Sequence, residues 1–144
     1  MVRRRLTVEE LEQKNKFLEE QLSFYKVIAD NSYDWEMLLS PQGKYVYVSP
    51  SCRKITGYTS EEFIQNSDLF NDIVFKDDIL KVKHHVERKL QREEIENHLE
   101  FRIITKEGSL KWISHLCQEA FDEDNNFIGY RSSNRDITRQ KEEE

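Results

Sequence analysis

The stretch ENHLEFRIITKEGSLKWISHLCQEAFDEDNNFIGYRSSNR, residues 96–135, determines the fold. Apolar and aromatic side chains alternate with polar ones along it, and two short polar segments, one with Gly108 and one with Asn125, interrupt the alternation. This pattern predicts three strands separated by tight turns, and strands joined in this way lie antiparallel and side by side. The predicted strands cover residues 96–105, 110–121 and 127–135.

Another hairpin is predicted upstream of these strands. Residues 33–39 and 44–48 are short runs rich in aromatic and aliphatic side chains, and the SPQG segment between them provides a turn. Pro fixes φ in such a turn, and Gly supplies the positive φ. Together with the three later strands, these runs predict a five-stranded antiparallel sheet.

Three helices are predicted between the two groups of strands. Ser49 is expected to cap the first, with Pro50 at its first position, and Gly57 is expected to end it. The TSEE segment that begins at Thr59 is a capping box and starts the second helix. The third covers residues 77–92, where one face is apolar. Its apolar positions are Ile79, Val82, Val86 and Leu90.

The resulting order, β-β-α-α-α-β-β-β, predicts an α+β fold in which helices cover one face of the sheet. A small ligand could bind between the two layers. Strand alternation alone does not decide which side chains face inward, and a core packed without any ligand is the alternative. The candidate ligand-pocket residues are Ile55, Phe63, Phe101, Ile103, Ser114 and Leu116.

Residues 1–30 predict a separate helix that pairs with a second copy of itself. A capping box at Thr7 begins it, and neither Gly nor Pro follows up to Ala29. Apolar residues occupy most a and d positions of three heptads, and Asn15 at a central a position is typical of parallel two-stranded coiled coils. The alternative is an amphipathic helix that folds onto its own domain, because further aromatic residues widen the apolar stripe. The candidate dimerisation residues are Leu11, Asn15, Leu18, Leu22 and Tyr25.

Three segments, in this order, resemble the PAS family of sensory domains. SPQGKYVYVSPSCRKITGYTSEEF at 40–63 resembles the first hairpin and two short helices of that family. FRIITKEGSLKWI at 101–113 resembles its penultimate hairpin, and GYRSSNRDIT at 129–138 resembles its closing strand. The chain departs from the family pattern at Ser49, where many members carry Asn, although Ser also caps a helix.

This resemblance implies a sensor or dimerisation domain over residues 31–138, of the kind usually placed before a histidine kinase, a diguanylate cyclase or a similar effector. Residues 139–144 would then begin a linker helix towards that effector. The candidate signal-relay residues are Asp136, Thr138 and Arg102. Asp136 is expected to pair with a nearby sheet cation such as Arg102, and Thr138 is expected to cap the outgoing helix.

The histidines and cysteines do not predict a metal site. His84 and His85 are adjacent on a helix and point about 100° apart, and His115 and Cys117 share a strand face without a third ligand close in sequence. Haem-binding relatives carry a histidine on the long helix, which makes His84 or His85 the candidate, but we expect an ordinary helix histidine there. Cys52 lacks the Asn-Cys-Arg motif of flavin-binding relatives. Neither haem nor flavin is expected, and the identity of any ligand stays open.

Composition argues against several other functions. The net charge of −6 does not favour nucleic-acid binding, and Arg3-Arg4-Arg5 is a short basic run. No apolar run approaches the roughly 20 residues needed to cross a bilayer, and no phosphate loop or nucleophile motif occurs. Two cysteines without paired spacing favour a reducing cytosol. We therefore predict a cytoplasmic, non-enzymatic sensor domain that acts as a homodimer, with a ligand-free dimerisation scaffold as the alternative.

Overall fold

The structure is a computed structural model that describes residues 4–93 and 96–144. Arg3 of the short basic run therefore lies outside the described residues. The helices are α1 Val8–Asp30, α2 Cys52–Thr56, α3 Ser60–Gln65, α4 Leu69–Ile73, α5 Ile79–Leu90 and α6 Thr138–Glu142. The strands are β1 Trp35–Leu39, β2 Tyr45–Val48, β3 His98–Ile104, β4 Leu110–Phe121 and β5 Phe127–Asp136.

The five strands form one antiparallel sheet in the order β2-β1-β5-β4-β3, which confirms the predicted α+β fold. β2 and β3 lie at opposite edges of the sheet, and the long connection between them carries the helices α2 to α5. β5, the last strand in the chain, lies at the centre of the sheet between β1 and β4. Ser132 on β5 is paired with Met37 on one side and with Cys117 on the other. One row of inward-facing positions therefore crosses three strands.

Local sequence signals set several of the helix ends. Thr59 and Glu62 form the predicted capping box at the start of α3, and Gly57 ends α2 with φ at +84°. The prediction that Ser49 caps the first short helix is wrong, because Ser51 holds the N-cap position. The hydroxyl of Ser49 is instead buried, and it accepts a hydrogen bond from the amide of Glu36 at 2.8 Å. The helix α4 was not predicted.

The hydrophobic core lies between the helices α2 to α5 and one face of the sheet. Trp35 packs against Phe63 and Phe70, with ring centroids 5.1 and 5.7 Å apart. Phe70 contacts Phe101 in turn, at 5.7 Å. On β4, the buried side chains are Ile113, His115 and Cys117, which face the helices. The structure therefore determines which face of β4 points inward, a question that the alternation in the sequence left open.

The helix α1 is largely unpacked, although its last residue, Asp30, accepts a hydrogen bond from the hydroxyl of Tyr47 at 2.7 Å. None of its residues is buried, and the side chains at two of the heptad positions, Leu22 and Tyr25, are each 68% exposed. The alternative in which this helix folds onto its own domain is therefore contradicted. Among the described residues, no helix combines the length and apolarity that a bilayer span requires.

Candidate functional site

A cavity of about 210 Å³ lies between the sheet and the helices α4 and α5. β1, β4 and β5 form its floor, and α5 forms one wall. Apolar and polar side chains both line it, as is common in small-molecule binding sites. Its lining includes Met37, Phe70, Asn71, His85, Lys89, His115, Cys117 and Ser132.

Three buried polar atoms of this lining are unpaired within the described part of the chain. They are Oδ1 of Asn71, Nε2 of His85 and Oγ of Ser132. An unpaired buried polar atom costs about 1–3 kcal/mol, and buried polar groups in native proteins nearly always have partners. Three such atoms lie around one cavity, each without a hydrogen-bond partner among the described residues.

His115 is held in one orientation beside the cavity. Its Nδ1 lies 2.7 Å from Oδ1 of Asn134, and the amide nitrogen of Asn134 donates to the carbonyl of Trp35 at 3.1 Å. The oxygen of Asn134 therefore faces the ring, so Nδ1 of His115 carries the proton and Nε2 has the free electron pair. Burial lowers the pKa of His115 to about 4, which keeps the imidazole neutral near pH 7.

His85 and Cys117 lie next to this ring. The imidazole centroids of His85 and His115 are 5.4 Å apart and nearly perpendicular. Burial lowers the pKa of His85, and Lys89 on the next turn of α5 lowers it further. Burial also raises the pKa of the Cys117 thiol, although the charge of Lys89 acts in the opposite direction.

The residues predicted to form the pocket lie elsewhere in the fold. Ile55, Phe63, Phe101 and Ile103 belong to the packed core and do not line the cavity. Ser114 and Leu116 lie on the opposite face of the sheet, where Ser114 contacts His98 at 2.7 Å and Leu116 is 43% exposed. The β4 side chains that face the cavity are those of His115 and Cys117, on the other face of the strand.

Sequence reasoning missed the cavity residues for two reasons. Asn71 lies on α4, a helix too short to give a periodic signal. His85 and His115 are 30 positions apart, and only the packing of α5 over β4 brings them together. The shared strand face of His115 and Cys117 was the one available signal.

The predicted relay residues occupy two separate clusters. The guanidinium of Arg102 pairs with Asp78 through two contacts, at 2.8 and 3.0 Å, so Arg102 is not the sheet cation that pairs with Asp136. Arg102 faces Asp78 because the turn before α5 crosses the sheet edge beside β3. Asp136 instead lies 3.6 Å from the ammonium of Lys111.

The second cluster anchors α6 to the sheet. The amide of Thr138 donates to Asp136 at 3.0 Å, and the hydroxyl of Thr138 accepts from the amide of Trp112 at the same distance. This hydroxyl therefore bonds the sheet and does not cap α6, contrary to the prediction. Lys141 of α6 pairs with Glu100 at 2.7 Å and lies 4.9 Å from the Trp112 ring centroid.

Comparisons with known proteins agree with this architecture. Sporulation kinase C of Bacillus subtilis is 26% identical to the chain over 131 residues, which cover 90% of the chain. The chain spans about 30% of the length of that curated relative.

Two solved structures share the fold. The PAS domain of the HTR-like protein from Haloarcula marismortui superposes with a TM-score of 0.66 at 20% identity, covering 88% of this chain and 99% of that one. The PAS domain of a protein from Colwellia psychrerythraea gives a TM-score of 0.64 at 21% identity, covering 82% and 98%. The family model described as "PAS fold" matches residues 45–134. This match includes β2, β3, β4, most of β5 and the helices α2 to α5, and the chain belongs to the PAS family.

Proposed function

We propose that this chain is the sensory input module of a larger signalling protein, such as a histidine kinase. In this proposal, the cavity beside α5 binds a small polar ligand, and the conformational change on binding is transmitted to α6. The observation that carries the proposal is the set of three unpaired buried polar atoms around one cavity, on Asn71, His85 and Ser132. The similarity to sporulation kinase C supports the link to a kinase.

A chain of contacts supports a route from the cavity to α6. α5 borders the cavity through His85, and its first turn is tied to β3 by the pair between Asp78 and Arg102. The guanidinium of Arg102 lies 5.1 Å from the ring centroid of Trp112, and Lys141 of α6 contacts the same ring. We infer that a movement of α5 on ligand binding is transmitted through Arg102, Trp112 and Lys141. This movement changes how α6 is held against the sheet.

A second copy of the chain is the proposed partner of α1. The helix exposes an apolar stripe in three heptads, and a central polar residue, Asn15, would fix a parallel register. Free, buried thiols at Cys52 and Cys117 support a reducing compartment such as the cytosol. The proposed module is non-enzymatic, and its output depends on the effector that follows it.

The test is the melting temperature of the full chain with a panel of small polar metabolites. A compound that binds only the folded state at 100 times its Kd adds about 2.7 kcal/mol, which raises the Tm by several degrees. The variant Ser132→Ala should reduce this rise. Ser114→Ala, on the opposite face of the sheet, is the matched control and should leave it unchanged. A stable dimer whose Tm no compound changes would favour the dimerisation scaffold instead.

A further inference from the structure

Three side chains able to ligate a metal meet at one end of the cavity. His85 extends from α5, and His115 and Cys117 extend from β4. One ligand atom from each lies within 4.8 Å of those from the other two, and all three residues are buried. Histidine nitrogen and cysteine sulfur are the ligands that zinc and similar ions prefer, and three protein ligands are sufficient when a fourth position stays open.

The hydrogen bonding of both histidines leaves a ring nitrogen free for a metal. Nε2 of His85 is buried without a partner among the described residues, and the residue is only 9% exposed. The Nδ1–H group of His115 donates to Asn134, so its Nε2 presents an electron pair. Metal-bound histidines almost always donate their second N–H group to such an oxygen, which fixes the ring and its tautomer.

We propose that His85, His115 and Cys117 bind a divalent transition-metal ion of the Zn²⁺ type, with the fourth coordination position open to the cavity. Tetrahedral zinc brings nitrogen and sulfur ligands to about 3.3–3.6 Å from one another, so ligand atoms that now lie within 4.8 Å would approach by up to about 1.5 Å. Both imidazoles bind as neutral groups. Cys117 binds as a thiolate and releases one proton to solvent. This inference specifies the ligand class of the proposed sensor cavity.

Metal binding is measured directly on the full chain after treatment with a chelator and dialysis. Titration with Co²⁺ should give one ion per chain, a thiolate-to-cobalt charge-transfer band and the visible bands of tetrahedral cobalt. Zn²⁺ should remove these bands by displacing Co²⁺, whereas Mg²⁺, which prefers oxygen ligands, should not. X-ray absorption of the Zn²⁺-loaded protein should show one sulfur at about 2.3 Å and two nitrogens at about 2.0–2.1 Å. This last measurement needs no variant.

Matched variants then locate the site. His85→Gln and Cys117→Ser should each weaken Zn²⁺ binding by more than about 100-fold, because even residues that only support a ligand change affinity by 10–100-fold. His84→Gln and Cys52→Ser are the controls, since His84 is the exposed neighbour and Cys52 donates to the Tyr58 carbonyl instead. Circular dichroism of each metal-free variant checks folding, and Cys117→Ala replaces Cys117→Ser if the latter unfolds.

Two results would overturn the inference. One is the absence of a thiolate-to-cobalt band in the folded wild-type chain. The other is an equal loss of Zn²⁺ affinity in His84→Gln and His85→Gln, which would place the ion on the protein surface. Failure of the metal site is distinguishable from failure of the sensor, because the metabolite melting test then still reports whether the cavity binds another compound.

Discussion

Gly129 of β5 lies beside the backbone of Leu39 at the end of β1. Its φ is +139°, a conformation that side-chain-bearing residues rarely adopt, and a Cβ atom there would clash with the carbonyl oxygen of Leu39. We predict that Gly129→Ala lowers the free energy of unfolding by about 3 kcal/mol or more, since strain and a backbone clash combine. Gly108→Ala is the control, because its φ of +91° is strained but nothing lies within 4 Å. Equal effects in urea unfolding would contradict this explanation.

Asp78 is the buried acid that ties the start of α5 to the sheet. The hydrogen bonds from Arg102 hold the pKa of Asp78 below its usual range. Asp78→Asn should therefore cost about 1–2 kcal/mol near pH 7, as expected for hydrogen bonds between charged groups with one partly exposed partner. Asp77→Asn, at the exposed neighbour, should cost little.

The pH dependence of this pair has a definite sign. Because the folded pKa of Asp78 is lowered, its contribution to stability is complete above the unfolded pKa of about 3.9 and is lost as the pH falls below it. The difference in unfolding free energy between wild type and Asp78→Asn should be constant from about pH 5 to 7 and should shrink below about pH 4. A difference that grows in acid would contradict the role given to Arg102.

The proposed role of the helix α1 is to pair with α1 of a second copy of the chain. A charge at Leu18, a heptad d position, should convert the dimer to a monomer in sedimentation equilibrium, because the charge would be buried against the second helix. Leu18→Asp should leave the Tm of the monomer domain unchanged, since no residue of α1 is buried. Gln13→Asp adds the same charge at a position away from the a and d residues and should preserve the dimer. A dimer that tolerates Leu18→Asp would contradict pairing through α1.

The sequence predicted elements well where one local signal decided them. Gly57 and the Thr59 capping box act within a few residues, so the helix ends that they set were correct. Ser49 also resembled a cap, but its hydroxyl bonds the backbone of β1 instead. Whether the Ser49 hydroxyl caps a helix or bonds the backbone of a strand depends on tertiary contacts, which the local sequence does not reveal.

The site was harder to predict than the fold. It depends on which face of each strand points inward and on which residues, distant in sequence, the packing of the helices brings together. Alternation on β4 gave two sets of side chains, and Ser114 was placed in the wrong one relative to the cavity. The sequence predicts Arg102 as a partner for Asp136, yet the turn before α5 places Asp78 beside the Arg102 guanidinium. The contact between His85 and His115 follows only from helix packing.

As a complete assembly, the proposed sensor combines a dimer, an occupied cavity and an outgoing helix. Native mass spectrometry of the freshly purified full chain measures the first two together. We predict a dimer that retains one bound component per chain, and we expect Ser132→Ala to retain less of it than Ser114→Ala. A bare monomer would contradict the account.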